Sequence, residues 1–185
     1  MSYNPQIHHR NSFRLQGYDY TQPGAYFITS VINHRECILG FIENGETRLS
    51  HLGLVVRQAW LDLPQHYPNA VLDEFCVMPN HIHGIILLTD ENYGSKPAVP
   101  SITKPNPLEA HSHAQRHGIP EIVRGFKTYS ARRINQIRRT ASVPVWQRNY
   151  YEHVIRNEQD LDRIRQYIFD NPMKWELDRE NPVRP

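Results

Sequence analysis

Residues 81 to 88, HIHGIILL, constrain the fold more than any other stretch. Successive side chains of a strand point to opposite faces. Here His81, His83, Ile85 and Leu87 share one face, while Ile82, Ile86 and Leu88 line the other. A strand that is apolar on both faces belongs in the middle of a sheet. Its partner is AVLDEFCVM (70–78), joined to it through Pro79 and Asn80 as a hairpin.

The other elements follow from period and punctuation. GAYFITSVIN (24–33) is β-branched and aromatic, as a strand requires. ECILGFIENGETRLS (36–50) reads as a hairpin around Asn44-Gly45, a dipeptide suited to a type I′ turn. In LGLVVRQAWLDLPQHY (52–67), Leu52, Val55, Val56, Ala59, Trp60 and Leu63 recur at helical spacing. Further helices are expected over 119–139 and 157–172, the second with Asn157 as N-cap and acids in its first turn. Residues 143–156 read as a strand or strand pair. The order β, hairpin, α, β, β, α, β, α predicts an α+β fold with an antiparallel sheet and helices packed on one face.

The 185 residues, 39% of them hydrophobic, suit one folded domain over 23–175. Residues 1–22 form a basic arm with Arg10 and Arg14, and 176–185 a short polar tail. Segment 90–118 carries four prolines and His111, His113 and His117 without periodicity. It reads as a flexible insertion, and such histidines are ordinarily those of a solvated loop. Two cysteines, Cys37 and Cys76, are too few for a disulfide framework or a cysteine zinc site. Both are expected as buried free thiols in a reducing compartment. The N-terminus has no apolar signal region, and the longest apolar run is far too short to cross a bilayer. A cytoplasmic protein with no membrane partner is expected. A net charge of +2 does not by itself mark a nucleic-acid binder, so that signal has to come from local clustering.

The Cα atoms of His81 and His83 would lie roughly 6.6 Å apart on a strand, close enough for both imidazoles to reach one ion. A central strand is also the rigid mount a metal site needs. Two histidines beside a turn are equally compatible with ordinary hydrogen bonding, and two ligands are too few for a metal centre. The last helix offers a further group. Leu161, Ile164 and Ile168 form its apolar stripe, and Tyr167 projects roughly 80° from the centre of that stripe. Asn171 lies one turn on, close to the same line, and Lys174 follows. A tyrosine beside an amide at a buried edge is ordinarily structural. Pro172 disfavours the α conformation at Asn171, which would change where that side chain points.

HIH on a strand, followed by QYIFDNPMKW on a late helix, resembles the REP-associated tyrosine transposases, members of the single-tyrosine HUH family. MPNHIHG and VWQRNYYEHVIRN resemble the same family, and the resemblance covers roughly residues 20 to 175. It implies a ferredoxin-like sheet. It further implies that His81, His83 and Asn171 bind a divalent metal, Mg²⁺ or Mn²⁺, and that Tyr167 is the nucleophile. The reaction would leave a 5′-phosphotyrosine and a free 3′-OH on single-stranded DNA carrying hairpins. A homodimer would let Tyr167 serve a partner's histidines. Two other readings share these residues: a single-strand binding module without chemistry, and a replication initiator or relaxase. The latter usually adds a third histidine soon after the pair, and here none follows until His111. Tyr150 and Tyr151 compete as nucleophiles but have no amide four residues on.

For DNA binding, helix 119–139 carries Arg124, Lys127, Arg132, Arg133, Arg138 and Arg139 against Glu121. Arg148, Arg156 and Lys174 add charge near the proposed site. Such clustering neutralises phosphates whatever the total charge. Phe126, Tyr129, Trp146 and Tyr150 are candidates to stack on unpaired bases, against the alternative of a solvated helix with core aromatics.

Overall fold

In the computed structural model, which describes residues 17–90 and 117–183, the elements follow one another in this order. They are β1 (Gly24–Val31), β2 (Gly40–Glu43), β3 (Glu46–Leu49), α1 (His51–Leu61), α2 (Leu63–His66), β4 (Ala70–Val77), β5 (His81–Leu88), α3 (Ile119–Arg138), β6 (Tyr151–Ile155) and α4 (Glu158–Asp170). Short 3₁₀ turns span Asn33–Arg35 and Pro172–Leu177. The main sheet runs β4-β5-β1-β6, every pair antiparallel, and β2-β3 form a separate hairpin. The expected α+β antiparallel architecture is the observed one. β5 is interior, with all eight residues buried, as its two apolar faces demand.

Local chemistry explains the element ends. Asn44 (φ 52°) and Gly45 (φ 76°) both take the left-handed conformation that a type I′ turn needs. Ser50 caps α1 by accepting from the Gly53 amide at 3.1 Å. The helix expected over 52–67 breaks at Asp62 because Pro64 starts a new turn, α2. Asn157 caps α4 as expected, accepting from the Asp160 amide at 2.8 Å.

The helices divide between the two faces of the sheet rather than sharing one. α1 and α3 bring Val56, Trp60, Ile122, Val123 and Phe126 onto the face of Tyr26, Ile28, Ile82 and Ile86. α4 brings Leu161, Ile164 and Ile168 onto the other face, over Ala25, Phe27, Ile85 and Leu87. The reason lies in β5 itself. A strand apolar on both sides leaves no face for water, so each face needs its own helical cover. His81 and His83 therefore lie under the α4 side.

Cys37 is exposed, not buried as expected, because it lies in the loop between the first 3₁₀ turn and β2. Cys76 is half-buried, and burial pushes its thiol up to about 12. The end of the N-terminal arm joins the fold: Tyr20 is buried with Tyr18 and Tyr26 around it. Arg10 and Arg14 lie outside the described residues. Among those residues no helix is long and apolar enough to cross a membrane.

Gly84 lets the Trp60 ring approach β5, since a Cβ there would sit 2.4 Å from Trp60 Cζ2 and 3.0 Å from Phe75 Cδ2. Those two rings stack at 4.8 Å between centroids. Gly84→Ala is expected to cost about 1–3 kcal/mol through overpacking, read as a lowered midpoint in chemical denaturation.

Candidate active site

The two histidines meet head to head. His81 Nε2 and His83 Nε2 are 3.0 Å apart, with the residues 0% and 4% exposed. Their other ring nitrogens are held from behind. His81 Nδ1 lies 2.8 Å from Asn80 Oδ1, and His83 Nδ1 lies 2.8 Å from Thr29 Oγ1. The Asn80 amide is oriented by its own nitrogen, which donates to the carbonyls of Arg35 (3.0 Å) and Glu180 (2.7 Å). Its oxygen therefore faces His81 and accepts from Nδ1–H, which assigns a bare Nε2 to that ring. The Thr29 hydroxyl can accept from His83 Nδ1–H or donate to a bare Nδ1, so it fixes that ring without fixing its tautomer. Burial pushes His81 down to about 3 and holds His83 well below its ordinary value, with His81 adding to the effect. Both rings are held neutral, and with Thr29 donating, His83 Nε2–H donates to the bare His81 Nε2 at 3.0 Å.

α4 supplies the next groups. The Tyr167 hydroxyl is 3.3 Å from His83 Nε2, and its ring stands edge-on to Phe27 (6.0 Å) and against His83 (5.2 Å). The residue is 45% exposed, so the phenol is reachable from solvent although the histidines are not. Burial raises its pKa, the Asn171 amide works against that, and the Asp178 carboxylate adds to the rise. Asn171 keeps helical angles (φ −58°, ψ −42°) despite Pro172, so its projection one turn beyond Tyr167 holds. It is buried, and its Oδ1 has no hydrogen-bond partner among the described residues. A buried carboxamide oxygen without a partner is unfavourable unless something electropositive sits there.

A further group comes from the polar tail. Asp178 Oδ2 lies 3.7 Å from His81 Nε2, and the ligand atoms of His81, His83 and Asp178 all lie within 4.8 Å of one another. The tail is tied down by Arg35 Nε to Glu180 Oε2 at 2.8 Å, besides the Asn80 bond. Arg35 reaches this position from a turn in which His34 and Arg35 both have positive φ (55° and 56°), an uncommon backbone for residues other than glycine. Two neutral imidazoles that can each present Nε2, a buried amide oxygen and a carboxylate fit a divalent cation.

No family model matches the chain. An uncharacterized protein of Haemophilus influenzae is 42% identical over 180 residues, 96% of both chains. A second protein of that organism, named "Putative REP-associated tyrosine transposase", is 27% identical over 158 residues, 84% of this chain and 74% of its own. The solved structure of a REP-associated tyrosine transposase bound to a REP hairpin has the same fold, with a TM-score of 0.56 and 19% identity over 88% of this chain and 74% of that one. The chain is thus similar in sequence to a REP-associated tyrosine transposase and shares the fold of one.

The remaining candidates are distributed unevenly. Arg124, Arg132 and Arg133 are exposed on α3, across the sheet from Tyr167, and Arg148 is exposed in the loop before β6. Tyr129 is exposed, and with Tyr67 it lines a groove beside Arg124 and Arg132. Phe126 and Trp146 are core residues rather than stacking platforms; the Trp146 indole donates to Ser130 Oγ at 2.9 Å. Lys174 is exposed and paired with Asp170 at 2.9 Å. Tyr150 packs against the α3-side core, and Tyr151 stands edge-on to Phe27 at 6.2 Å. Of the three tyrosines, it is the Tyr167 hydroxyl that meets His83. His153 pairs with Asp160 at 2.8 Å near the start of α4. His117 faces Glu121, while His111 and His113 lie outside the described residues.

Lys127 is a correction to the expected DNA-binding set. Its Nζ donates to the carbonyls of Gln147 (2.6 Å), Arg148 (3.2 Å) and Asn149 (3.1 Å). An ammonium has three donors, and all three are occupied. Burial pushes its pKa down to about 8, and the three carbonyls hold the charged form against that. The residue pins the 147–149 loop to α3. Lys127→Met should lower unfolding stability by about 1–3 kcal/mol, the loss of hydrogen bonds from a charged donor that tie the loop to α3, as measured by thermal denaturation.

Asp178 and Asn80 are the functional residues that sequence reasoning missed. Asn80 reads as a turn residue beside Pro79. Asp178 sits in a segment without periodicity, and its approach to His81 spans nearly a hundred residues. No sequence signal reports such a contact.

Proposed function

We propose that this protein is a metal-dependent transposase that cleaves and rejoins single-stranded, hairpin-bearing DNA through a 5′-phosphotyrosine on Tyr167. The observation that carries the reading is the convergence of the Tyr167 hydroxyl with His83 Nε2, 3.3 Å apart. The buried Asn171 oxygen, one helical turn on and without a partner among the described residues, supports it.

His81, His83 and Asn171 would hold Mg²⁺ or Mn²⁺, with Asp178 alongside. When bound, such an ion would supply Lewis-acid charge withdrawal from the reacting phosphate. The chain's own residues do the rest. Asn80 holds His81 in the tautomer that presents a bare Nε2, and the Thr29 hydroxyl, by accepting from Nδ1–H, lets His83 present its own to a cation. Phe27 and the α4 stripe fix the Tyr167 ring, so that its oxygen is positioned before any strand arrives. In the chemical step the Tyr167 oxygen bonds to phosphorus and the bond from phosphorus to the 3′ oxygen breaks. The phenol gives up its proton and the leaving 3′ oxygen gains one. Rejoining is the reverse, with the 3′-OH of another end as nucleophile and Tyr167 as leaving group. The covalent intermediate conserves the phosphodiester, which suits strand transfer better than degradation. Arg124, Arg132, Arg133 and Arg148 would neutralise phosphates of the hairpin, and Lys174 those of the strand near Asn171.

The test is a denaturing protein gel after incubation with labelled single-stranded hairpin DNA and Mn²⁺. Wild type is expected to show a covalent adduct, and Tyr167→Phe to bind the same DNA without one. A Tyr167→Phe protein that still formed the adduct would remove Tyr167 from the mechanism. Binding by wild type without an adduct on any hairpin would leave a binding module. Asn80→Ala should raise the Mn²⁺ concentration needed for adduct formation by about 10–100-fold, with full adduct restored at high Mn²⁺. Activity with Mn²⁺ should at least equal that with Mg²⁺, because imidazole nitrogen suits Mn²⁺ better.

A further inference from the structure

A groove of about 560 Å³ opens at the β4 edge, between the β2-β3 hairpin and the C-terminal end of α4. Its walls include Thr47, Arg57, Phe75, Phe169 and Met173. It shares a wall with the candidate active site: Cys76, which lines it, is the sheet partner of His83, and Pro172, which also lines it, follows Asn171. Its apolar side chains are conspicuously uncovered, with Phe169 67% and Met173 63% exposed. Phe169 follows Ile168, the last buried residue of the α4 stripe, and faces out where a core helix ordinarily carries a polar residue.

We propose that this groove holds an unpaired nucleobase of the strand whose phosphate reacts at Tyr167. This rests on the proposed function of the adjoining site. Four features select a base. Phe169 offers an exposed aromatic face, and every base has a π-face to lay on it. Thr47, half-buried in the groove wall, has a hydroxyl oxygen without a hydrogen-bond partner among the described residues, which a base edge seated against it would satisfy. Arg57 is an exposed cation at the wall, placed for the phosphate that follows the base. Glu46 also lines the groove, and its carboxylate disfavours a phosphate inside. The size falls in the range that encloses small-molecule-sized groups. A second copy of this chain would have no use for the cation and the buried hydroxyl together. A single strand whose phosphate sat beside Asn171 would have the groove within reach, since Pro172 lines it.

The test uses the full chain with Tyr167→Phe, so that the strand stays intact, and a single-stranded hairpin DNA with one abasic site moved through its unpaired positions. One position near the cleavage point is expected to weaken binding roughly tenfold when abasic. Phe169→Ala should weaken binding of the intact strand by a similar factor and cause no further loss on that abasic strand. Phe169 is largely exposed, so an unchanged thermal melt checks that the variant is folded. Losses that multiply independently at every position, or no loss with Phe169→Ala, would overturn the proposal. So would a dimer by light scattering that Phe169→Ala converts to monomer, because the groove would then belong to a second copy. If wild type binds with this base dependence yet forms no covalent adduct, the catalytic reading fails while the base site stands.

Discussion

Two neutral imidazoles meet Nε2 to Nε2 at 3.0 Å in a buried place. Side chains two apart on a strand do not turn toward each other unaided, so the surrounding structure has to impose the geometry. It does so through register. Thr29 stands directly opposite His83 across the β1-β5 pair, and Asn80 ends the β4-β5 turn immediately before His81. A slip of one residue along β5 would send both histidines to the opposite face, into the core around Trp60 and Phe126. What prevents the slip is the apolar pattern itself. Ile82 and Ile86 fill one face and Ile85 and Leu87 the other, while Gly84 accepts the Trp60 ring in only one register.

The two faces of the sheet then do different work. The α1-α3 face is core along its length, with Tyr26, Trp60 and Phe126 among its buried rings, and it serves as the stiff backing of the site. The α4 face is covered by one helix. Its stripe of Leu161, Ile164 and Ile168 seals the end of the sheet around Ala25, Leu87 and Ile155. Tyr167 and Asn171 lie off that stripe toward the histidines, so the packing that anchors α4 also delivers the phenol and the amide. The exposed arginines of α3 are on the far side of this backing, which separates the basic surface from the chemistry by the thickness of the domain.

Much of this was legible because it is periodic. The two-sided apolar run of β5 located the interior strand, and the i, i+4 relation of Tyr167 and Asn171 survived even the proline that threatened it. The division of helices over both faces was implicit in the same run, since a strand with no polar face needs cover twice. What could not be read was non-periodic. Lys127 looks like any lysine on a basic helix, and only the fold shows three carbonyls gathered at its ammonium. Trp146 and Phe126 were equally ambiguous, because sequence does not say which side of α3 the following loop crosses. Asp178 and Glu180 belong to a stretch with no pattern, and they take their place from tertiary contacts alone.

Those contacts change the electrostatics of the site. Three neutral donors leave the full charge of a cation to act on phosphate, whereas a carboxylate within reach of His81 offsets part of it. It also adds an oxygen to a nitrogen-rich set, in the direction that Mg²⁺ favours. The neutral donors ride on β5 and α4, both anchored in core. The carboxylate rides on a tail held by a partly exposed Arg35–Glu180 pair, a weak tether, and by the Asn80 amide. Asn80 is thus the joint of the arrangement. Its oxygen orients the His81 ring, and its nitrogen fixes the carbonyls of Arg35 and Glu180. Ligand orientation and placement of the charged tail are therefore one constraint, carried by a single buried side chain.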